Sequence, residues 1–343
     1  MATVAINGFG RIGRAFFKLA INKPGLDIVA INDLGDPENL AYLLTYDSAY
    51  GRYDAPVSVT ERDGKEYLSV AGHDFLFLQE KDPLRLPWKE LNVDIVVEST
   101  GVFESYEKAG VHLTAGAKRV VLTAPAKDDD RDDAKTVLMG VNEEQLKTCT
   151  ISSNGSCTTN SASPILQILS EKLGVTKAFL NTVHGYTATQ SLIDGPVKGK
   201  DFRRGRAAAA NIAPSTTGAT IAVGRAVKAV SGKFDGISMR VPVLTGSLSA
   251  IVFLASRPTT AEEINTFLKD SAAESRWQGI FSTTEAPLVS TDIIGEPYAA
   301  IADLSLTKVV DGDLCCVYSW YDNEYGYTVS LVQHVQKVAQ ALG

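Results

Sequence analysis

Cys157 lies in a run of small polar residues, SSNGSCTTN at 152–160. Apolar residues at helical spacing follow it, from Ile165 to Leu173. Ser156 is a suitable N-cap and places Cys157 in the first turn of a helix, where free N–H groups and the helix dipole favour an anion. We expect such a thiol to ionise near neutral pH, and the thiolate is the nucleophilic form. A small buried residue at a strand–helix junction is the alternative, but the surrounding hydroxyl and amide groups favour an accessible nucleophile.

A cysteine nucleophile needs a base, and the sequence contains four histidines. His184 ends a predicted strand, 178–184. A Cys157–His184 pair can raise the thiolate fraction and move a proton to and from a reacting oxygen. For the others we expect surface or packing roles: His73, His112 and His334. On this pair alone, a cysteine hydrolase remains an alternative.

The N-terminal residues combine a strand, a glycine-rich turn, a helix and a second strand. The turn, GFGRIG, contains Gly8, Gly10 and Gly13, and Asp33 follows about twenty residues after the last glycine. Gly8 permits the tight turn, Gly10 lets the backbone approach a pyrophosphate, and Gly13 lets helix and strand pack closely. Asp33 can accept hydrogen bonds from both ribose hydroxyls and would repel a 2′-phosphate, which favours NAD over NADP. A tight βα turn without a ligand is the alternative, but strand, helix and acid in this order favour a cofactor site.

The chain of 343 residues is long enough for two domains. Alternating strands and helices predict an α/β Rossmann dinucleotide-binding domain over 1–154. Its later strands are predicted at 94–98, 119–123, 137–140 and 149–152. Longer strands in 155–320 predict an α+β catalytic domain with a mainly antiparallel or mixed sheet. A C-terminal helix within 321–343 is expected to return to the first domain, and the junction before Cys157 is expected to bring nucleophile and cofactor together.

Charge and cysteine spacing argue against several classes of protein. The formal net charge of −7 does not favour binding to nucleic acid or a membrane surface. No apolar run approaches the roughly 20 residues that span a bilayer, and the first residues enter a strand without a charged leader, so we expect a cytoplasmic protein. We interpret the acidic run 128–133 as a solvated loop. The cysteines lack the spacing of a disulfide framework or a zinc site, so no metal is expected: Cys149, Cys157, Cys315 and Cys316.

Three motifs resemble those of the phosphorylating glyceraldehyde-3-phosphate dehydrogenases, and the resemblance covers essentially the whole chain. They are AINGFGRIGR at 5–14, SCTTN at 156–160 and WYDNEYGY at 320–327. The resemblance implies that Cys157 is the nucleophile and His184 the base and later acid. The implied reaction, in glycolysis or gluconeogenesis, oxidises D-glyceraldehyde 3-phosphate with NAD and inorganic phosphate to 1,3-bisphosphoglycerate through a cysteine thiohemiacetal and thioester.

The resemblance also implies where the cofactor and two anions bind. Asp33 would meet the adenosine ribose and Asn323 the nicotinamide carboxamide. The implied cofactor positions are Gly8, Gly10, Arg11, Ile12, Gly13, Asp33, Thr100, Gly101, Thr123 and Asn323. The C3 phosphate of the substrate would bind at Thr187, Thr189 and Arg240. Inorganic phosphate would bind near Ser156, Thr158, Arg204, Thr217 and Gly218.

Residues 185–210 lack regular periodicity and form a basic stretch. Its cationic residues are Lys198, Lys200, Arg203, Arg204 and Arg206. It is either a basic surface loop or a loop for substrate phosphate or subunit contact. The resemblance implies a homotetramer in which this loop abuts the neighbour's cofactor site.

The chain departs from the family pattern at three places. Ser161 replaces a second cysteine four residues after the nucleophile, and Ile221 replaces a usual lysine. VLTG at 243–246 replaces the common continuation after Arg-Val-Pro. These departures bear on the phosphate sites and subunit contacts rather than on the chemistry.

Three other functions are compatible with parts of the sequence. An erythrose-4-phosphate dehydrogenase typically lacks the threonine three residues after the histidine, which is present here as Thr187. A semialdehyde dehydrogenase prefers NADP, which Asp33 disfavours. A non-catalytic binding protein on the same scaffold would not need the intact set Cys157, His184, Arg240 and Asn323.

Overall fold

The computed structural model describes residues 1–197 and 199–343, which form two compact units. The first unit comprises Met1–Val137, Glu143–Gly155 and Leu331–Gly343. The second comprises Leu138–Asn142 and Ser156–Ser330. Lys198, one of the cationic residues of the basic stretch, lies outside the described residues.

The first unit is built on a largely parallel sheet. Its strands and helices are β1 (Ala2–Asn7), α1 (Arg11–Ala20), β2 (Leu26–Asn32), α2 (Pro37–Thr45), β3 (Tyr46–Asp47), β4 (Gly51–Arg52), β5 (Val57–Arg62), β6 (Lys65–Val70), β7 (His73–Leu78), β8 (Ile95–Glu98), α3 (Tyr106–Ala109), α4 (Val111–Thr114), β9 (Arg119–Leu122), β10 (Ala134–Thr136) and β11 (Ile151–Ser153). The sheet order is β10-β11-β9-β8-β1-β2-β7-β6-β5, and β3 pairs separately with β4.

The central strand β1 has both faces covered. Val4, Ala5 and Ile6 are fully buried in succession, as expected of a parallel strand between two layers. β1, α1 and β2 form the predicted strand–turn–helix–strand unit, with β1 and β2 parallel. The carboxyl ends of these parallel strands form the sheet edge where ligands bind in such folds.

One sequence interpretation in this region was wrong and another was incomplete. Residues 137–140 form no strand, because the apolar run is buried in a turn; the strand lies upstream at Ala134–Thr136. The acidic run 128–133 is only partly solvated. Asp128 accepts hydrogen bonds from the N–H groups of Tyr106 and Glu107 at 2.8 and 3.0 Å, and Asp130 accepts one from the Tyr106 hydroxyl at 2.8 Å. These two carboxylates therefore hold the start of α3.

The second unit carries a mixed sheet. Its elements are α5 (Cys157–Lys172), β12 (Val175–Gly185), β13 (Ala213–Ser215), α6 (Ala219–Ala226), β14 (Phe234–Val241), β15 (Ser247–Ala255), α7 (Ala261–Ala273), β16 (Phe281–Thr284), β17 (Ala300–Val310) and β18 (Leu314–Tyr321). The strand order is β13-β14-β12-β15-β18-β17-β16. The β12–β14 and β16–β17 pairs are parallel and the others antiparallel. The predicted fold class, Rossmann domain plus mixed α+β domain, is confirmed.

Helices cover one face of this second sheet. α5 packs against β12, β15, β17 and β18 and contacts α6 and α7, which pack against the sheet edges. The last helix, α8 (Tyr325–Ala341), begins in the second unit and continues in the first. In the described part of the chain, none of the helices has the length and apolar character that crossing a bilayer requires.

Candidate active site

The start of α5 places Cys157. The Ser156 hydroxyl accepts a hydrogen bond from the N–H of Thr159, and the Thr159 hydroxyl accepts one from the N–H of Ser156, both at 3.1 Å. This reciprocal capping box confirms Ser156 as the N-cap and makes Cys157 the first residue of the helix. The cysteine is half-buried.

The imidazole of His184 faces this sulfur. Cys157 Sγ lies 3.3 Å from His184 Nε2, and the other ring nitrogen, Nδ1, lies 2.6 Å from the carbonyl oxygen of Gly185. A carbonyl oxygen can only accept, so we assign the ring proton to Nδ1. Nε2 is then free to accept the thiol proton. His184, at the end of β12, is only 3% exposed.

A guanidinium group lies beside this pair and modifies the effect of burial on it. Arg240 is the register partner of His184 on the neighbouring strand β14, and its Nη1 lies 3.1 Å from Nδ1 of the imidazole. Burial, reinforced by this positive charge, lowers the pKa of His184 to about 3. Burial raises the pKa of the Cys157 thiol, and the charge of Arg240 opposes that shift.

The expectation that Cys157 ionises near neutral pH is therefore wrong, because burial raises the pKa of its thiol. Desolvation at the sheet outweighs both the helix N-terminus and Arg240. Thiol and imidazole are both neutral at pH 7, with a vacant acceptor nitrogen already facing the sulfur.

A buried hydroxyl cluster lies behind the pair. The Tyr321 hydroxyl is 3.0 Å from the Thr158 hydroxyl and 2.7 Å from that of Thr182, and its ring meets the His184 ring edge-on at 6.0 Å. Burial, and the charge of Cys157 when ionised, raise the pKa of Tyr321 to about 12. The hydroxyl of Thr158 is thus engaged within the protein. Sequence reasoning did not single out Tyr321, although it belongs to the WYDNEYGY motif.

Two threonine hydroxyls lie together near Arg204, whose charge acts on Arg240. The hydroxyls of Thr187 and Thr189 lie 2.9 Å apart, and Arg204 Nη1 is 3.3 Å from the latter. Arg204 Nε is also held by Ser215 at 3.0 Å. Burial lowers the pKa of Arg240, and the charge of Arg204 adds to the effect. The two cations therefore act on one another, while Asp201, 3.3 Å from Arg204 Nε, offsets part of their charge.

Two of the residues that the resemblance implies for inorganic phosphate lie at the start of α6. Gly218 is the N-cap of α6, and the Thr217 hydroxyl accepts a hydrogen bond from the N–H of Ala219 at 3.2 Å. The Ser156 hydroxyl is engaged in the α5 cap. Ile221, the residue that replaces a usual lysine, is 63% exposed on α6.

The carboxamide of Asn323 has a fixed orientation. Its Oδ1 lies 2.7 Å from the Ser247 hydroxyl, and that hydroxyl accepts the N–H of Gly185 at 3.2 Å. Ser247 donates its one hydroxyl proton to the amide oxygen, so the amide nitrogen of Asn323 remains as the donor group. Thr245, from the unusual 243–246 segment, donates to Asp322 at 2.9 Å. Sequence reasoning missed Ser247; a polar residue at a buried position of the alternating strand β15 was the available signal.

The glycine turn of the first unit has the geometry that a dinucleotide requires. Gly8 has φ +97°, and a β-carbon there would lie 2.6 Å from the backbone nitrogen of Thr100. A β-carbon at Gly13 would collide with the carbonyl oxygen of Gly8. At Gly10, the N-cap of α1, a β-carbon would meet nothing within 4 Å. Open space therefore lies before the uncapped N-terminus of the helix, where a pyrophosphate binds.

Asp33 lies beside this turn. Its carboxylate accepts the N–H of Phe9 at 2.6 Å and that of Gly35 at 2.8 Å. Arg11 pairs with Asp47 at 3.1 Å, and Ile12 is half-buried in α1. Thr100 and Gly101 are exposed after β8, and Thr123 is half-buried after β9. These residues fit a dinucleotide. Within the described residues, no group of three or more His, Cys, Asp or Glu side chains is arranged to hold a metal ion.

Comparison with known proteins agrees with this geometry. Residues 2–106 match the family model for the glyceraldehyde 3-phosphate dehydrogenase NAD binding domain, and residues 156–323 match that for its C-terminal domain. The glyceraldehyde-3-phosphate dehydrogenase of Thermotoga maritima is 48% identical over 339 residues, 98% of each chain. Those of Clostridium pasteurianum and Geobacillus stearothermophilus are each 44% identical, over 99% and 98% of each chain. The chain belongs to the glyceraldehyde-3-phosphate dehydrogenase family.

Proposed function

We propose that this protein catalyses the NAD-dependent oxidative phosphorylation of D-glyceraldehyde 3-phosphate to 1,3-bisphosphoglycerate. The observation that carries the mechanism is the 3.3 Å approach of Cys157 Sγ to His184 Nε2 in a chain of this family. A thiol that attacks an aldehyde must lose its proton, and Nε2 is the acceptor within reach.

Cys157 and His184 divide the chemistry between them. As sulfur bonds to the aldehyde carbon, Nε2 takes the thiol proton and gives it to the developing oxyanion, which forms a thiohemiacetal. A bound NAD would supply the hydride acceptor for that carbon. Nε2 removes the hydroxyl proton in the same step and leaves a thioester on Cys157. A phosphate oxygen then attacks the thioester carbon, the carbon–sulfur bond breaks, and the imidazolium returns its proton to sulfur.

Arg240 links substrate binding to this proton transfer. We assign the C3 phosphate to Thr187, Thr189 and Arg240, and the inorganic phosphate to the second set. That set comprises Ser156, Thr158, Arg204, Thr217 and Gly218. An anion beside Arg240 offsets the positive charge 3.1 Å from the imidazole. The pKa of His184 then rises, so the ring can hold the proton it has taken.

The cofactor would be held mainly by backbone and one carboxylate. The N-terminus of α1, at Gly10 through Gly13, would hold the pyrophosphate, and Asp33 would accept hydrogen bonds from the adenosine ribose. Thr100, Gly101 and Thr123 would line the cofactor. Asn323 would donate its free amide N–H to the nicotinamide carboxamide.

We also propose a cytoplasmic homotetramer with domains 1–154 and 155–320 and a C-terminal segment 321–343 that belongs with the first. The sheet face of the second unit opposite its helices is apolar. Phe179 and Val183 of β12 are 49% and 42% exposed there, in register with Val252 and Leu248 of β15. A second copy would cover this face, and the free thiols suit a reducing compartment.

An NADH absorbance assay tests the function. Sustained NADH formation should require D-glyceraldehyde 3-phosphate, NAD and inorganic phosphate together, and should fall when NADP replaces NAD. Without phosphate, turnover should stop after about one equivalent per site, because the thioester has no acceptor. Equal sustained rates without phosphate, or a preference for erythrose 4-phosphate, would contradict the proposal.

A further inference from the structure

Three buried polar side chains end three neighbouring parallel strands of the first unit. Asn7 of β1 is the register partner of both Asn32 of β2 and Glu98 of β8. The three side chains are 2%, 5% and 3% exposed. Asn7 Nδ2 donates to Glu98 Oε2 at 2.6 Å, and Asn32 Nδ2 donates to Asn7 Oδ1 at 2.7 Å. A continuous hydrogen-bonded row thus crosses the carboxyl edge of the sheet.

A buried histidine on α4 forms a hydrogen bond with the carboxylate of Glu98. His112 is fully buried, and its Nε2 lies 3.0 Å from Glu98 Oε2. The indole N–H of Trp88, which can only donate, meets His112 Nδ1 at 3.1 Å. Nδ1 is therefore the acceptor, and Nε2 carries the proton that it donates to Glu98. The histidine acts as a neutral donor to a buried carboxylate.

The second oxygen of Glu98 holds Thr100. Oε1 accepts the backbone N–H of Thr100 at 2.8 Å and also its hydroxyl proton. Thr100 in turn lies against Gly8. A β-carbon placed on Gly8 would lie 2.6 Å from the backbone nitrogen of Thr100. Ser99 also links the segment that contains Thr100 to the glycine turn, because its hydroxyl donates to the carbonyl oxygen of Gly8 at 2.6 Å.

We propose that Glu98 is a positioning residue for the cofactor site, with His112 as its support. This inference rests on the proposed function, in which Gly8, Asp33 and Thr100 contact NAD. Gly8 and Asp33 directly follow Asn7 and Asn32 in the sequence, and Thr100 lies two residues after Glu98. Because a carboxylate can accept from all four donors at once, it fixes the Thr100 segment against the glycine turn before NAD arrives, which lowers the ordering cost of binding.

Glu98→Gln in the full-length protein tests the proposal. Glutamine has the same size as glutamate, but one of its two terminal groups is an NH₂ donor that cannot accept hydrogen bonds. That group must face either the donors of Thr100 or the donors of His112 and Asn7. We expect the dissociation constant for NAD, measured by calorimetry, to rise about tenfold, as for the loss of a hydrogen bond to a charged group. The rate at which iodoacetamide alkylates Cys157 without NAD should stay unchanged. Glu104→Gln, which removes only the surface partner of Lys127, is the matched control.

A second pair of variants keeps the test decisive if Glu98→Gln does not fold. Thr100→Val should weaken NAD binding, and Thr100→Ser, which keeps the hydroxyl, should restore it. The double variant Glu98→Gln/Thr100→Val should bind NAD no more weakly than Glu98→Gln alone. If Glu98→Gln folds, wild-type affinity for NAD in that variant, or additive losses in the double variant, would overturn the inference. If it does not fold, wild-type affinity in Thr100→Val would overturn it. A wild-type protein that does not bind NAD would overturn the proposed function instead.

Discussion

His184 and Arg240 lie side by side on the parallel strands β12 and β14, with guanidinium Nη1 3.1 Å from imidazole Nδ1. Burial makes the imidazole a weak base, and a cation in this position adds to the effect. In the proposed reaction, the phosphate of the substrate would bring an anion to Arg240. Recognition of the phosphate would then be coupled to the proton transfer that starts the reaction.

Arg240→Gln should destroy the preference for a phosphorylated aldehyde. Without the guanidinium, the C3 phosphate loses a charge-assisted partner that contributes about 1.5–3 kcal/mol, so KM for D-glyceraldehyde 3-phosphate should rise at least about tenfold. The ratio of kcat/KM for this substrate to kcat/KM for D-glyceraldehyde should fall by a similar factor. Steady-state NADH formation with both aldehydes measures it.

Arg206→Gln is the control for that prediction. Arg206 belongs to the same basic stretch but pairs with Asp194 on the surface at 2.9 Å. Loss of Arg206 should leave the ratio of kcat/KM for D-glyceraldehyde 3-phosphate to kcat/KM for D-glyceraldehyde unchanged. If Arg240→Gln kept the wild-type ratio, the C3 phosphate would have to bind elsewhere.

Cys157→Ser should abolish turnover and spare cofactor binding. A serine hydroxyl is a much poorer nucleophile than a thiol, and its ester would lack the reactivity of the thioester, so kcat should fall at least about 1000-fold. The dissociation constant for NAD, measured by calorimetry, should remain within about twofold. Cys316→Ser, a half-buried thiol on β18, should keep wild-type kcat. Near-normal activity in Cys157→Ser would refute the thioester mechanism.

Ser247→Ala should release the orientation of the Asn323 amide. In the wild type the serine donates to Oδ1. In the proposed cofactor site, the amide nitrogen would then donate to a carbonyl oxygen on the cofactor. An acetylpyridine analogue of NAD keeps that oxygen but lacks the amide NH₂ group. The wild type should therefore bind the analogue and NAD with similar affinity.

The variant should bind NAD and the analogue differently. Once the amide of Asn323 can rotate, its oxygen can pair with the NH₂ group of NAD but not with the analogue. We expect affinity for the analogue to fall about tenfold more than affinity for NAD, measured by calorimetry. Ser249→Ala is the matched control, because that hydroxyl lies on the same face of β15 but meets Thr182. Equal losses for both ligands would exclude an orienting role for Ser247.

The parts of the site that the sequence predicts are those encoded locally. The cap at Ser156 depends on hydroxyls three residues apart, and the glycine turn needs only neighbours along the chain. The ionisation of Cys157 was mispredicted because burial by the sheet opposes the helix N-terminus. The Glu98–His112 pair escaped notice because only the register of β1 with β8, and the packing of α4, bring it together. Asp128 was misjudged for the same reason, since its partners lie more than twenty residues away.

His334 predicts a loss of stability in mild acid. It is fully buried, with Nε2 2.7 Å from the Ser152 hydroxyl and Nδ1 3.1 Å from Asn154 Oδ1. Burial lowers its pKa in the folded protein from 6.5 to about 3. Between those values the unfolded chain binds more protons than the folded one, so the contribution of His334 is complete above pH 6.5 and is lost as pH falls towards 3. At pH 5.5 the free energy of unfolding that is lost in this way amounts to about 1.4 kcal/mol.

His334→Gln should remove that part of the pH dependence. The variant will be less stable at pH 7.5, because Ser152 and Asn154 lose their partner, but its free energy of unfolding should fall less steeply between pH 7.5 and 5. Urea denaturation across this range measures the slope. His73→Gln, at an exposed position, should retain the wild-type slope. Since His184 titrates in the same window, part of the acid sensitivity should survive in His334→Gln. A variant slope equal to that of the wild type would show that His334 takes up no proton on unfolding.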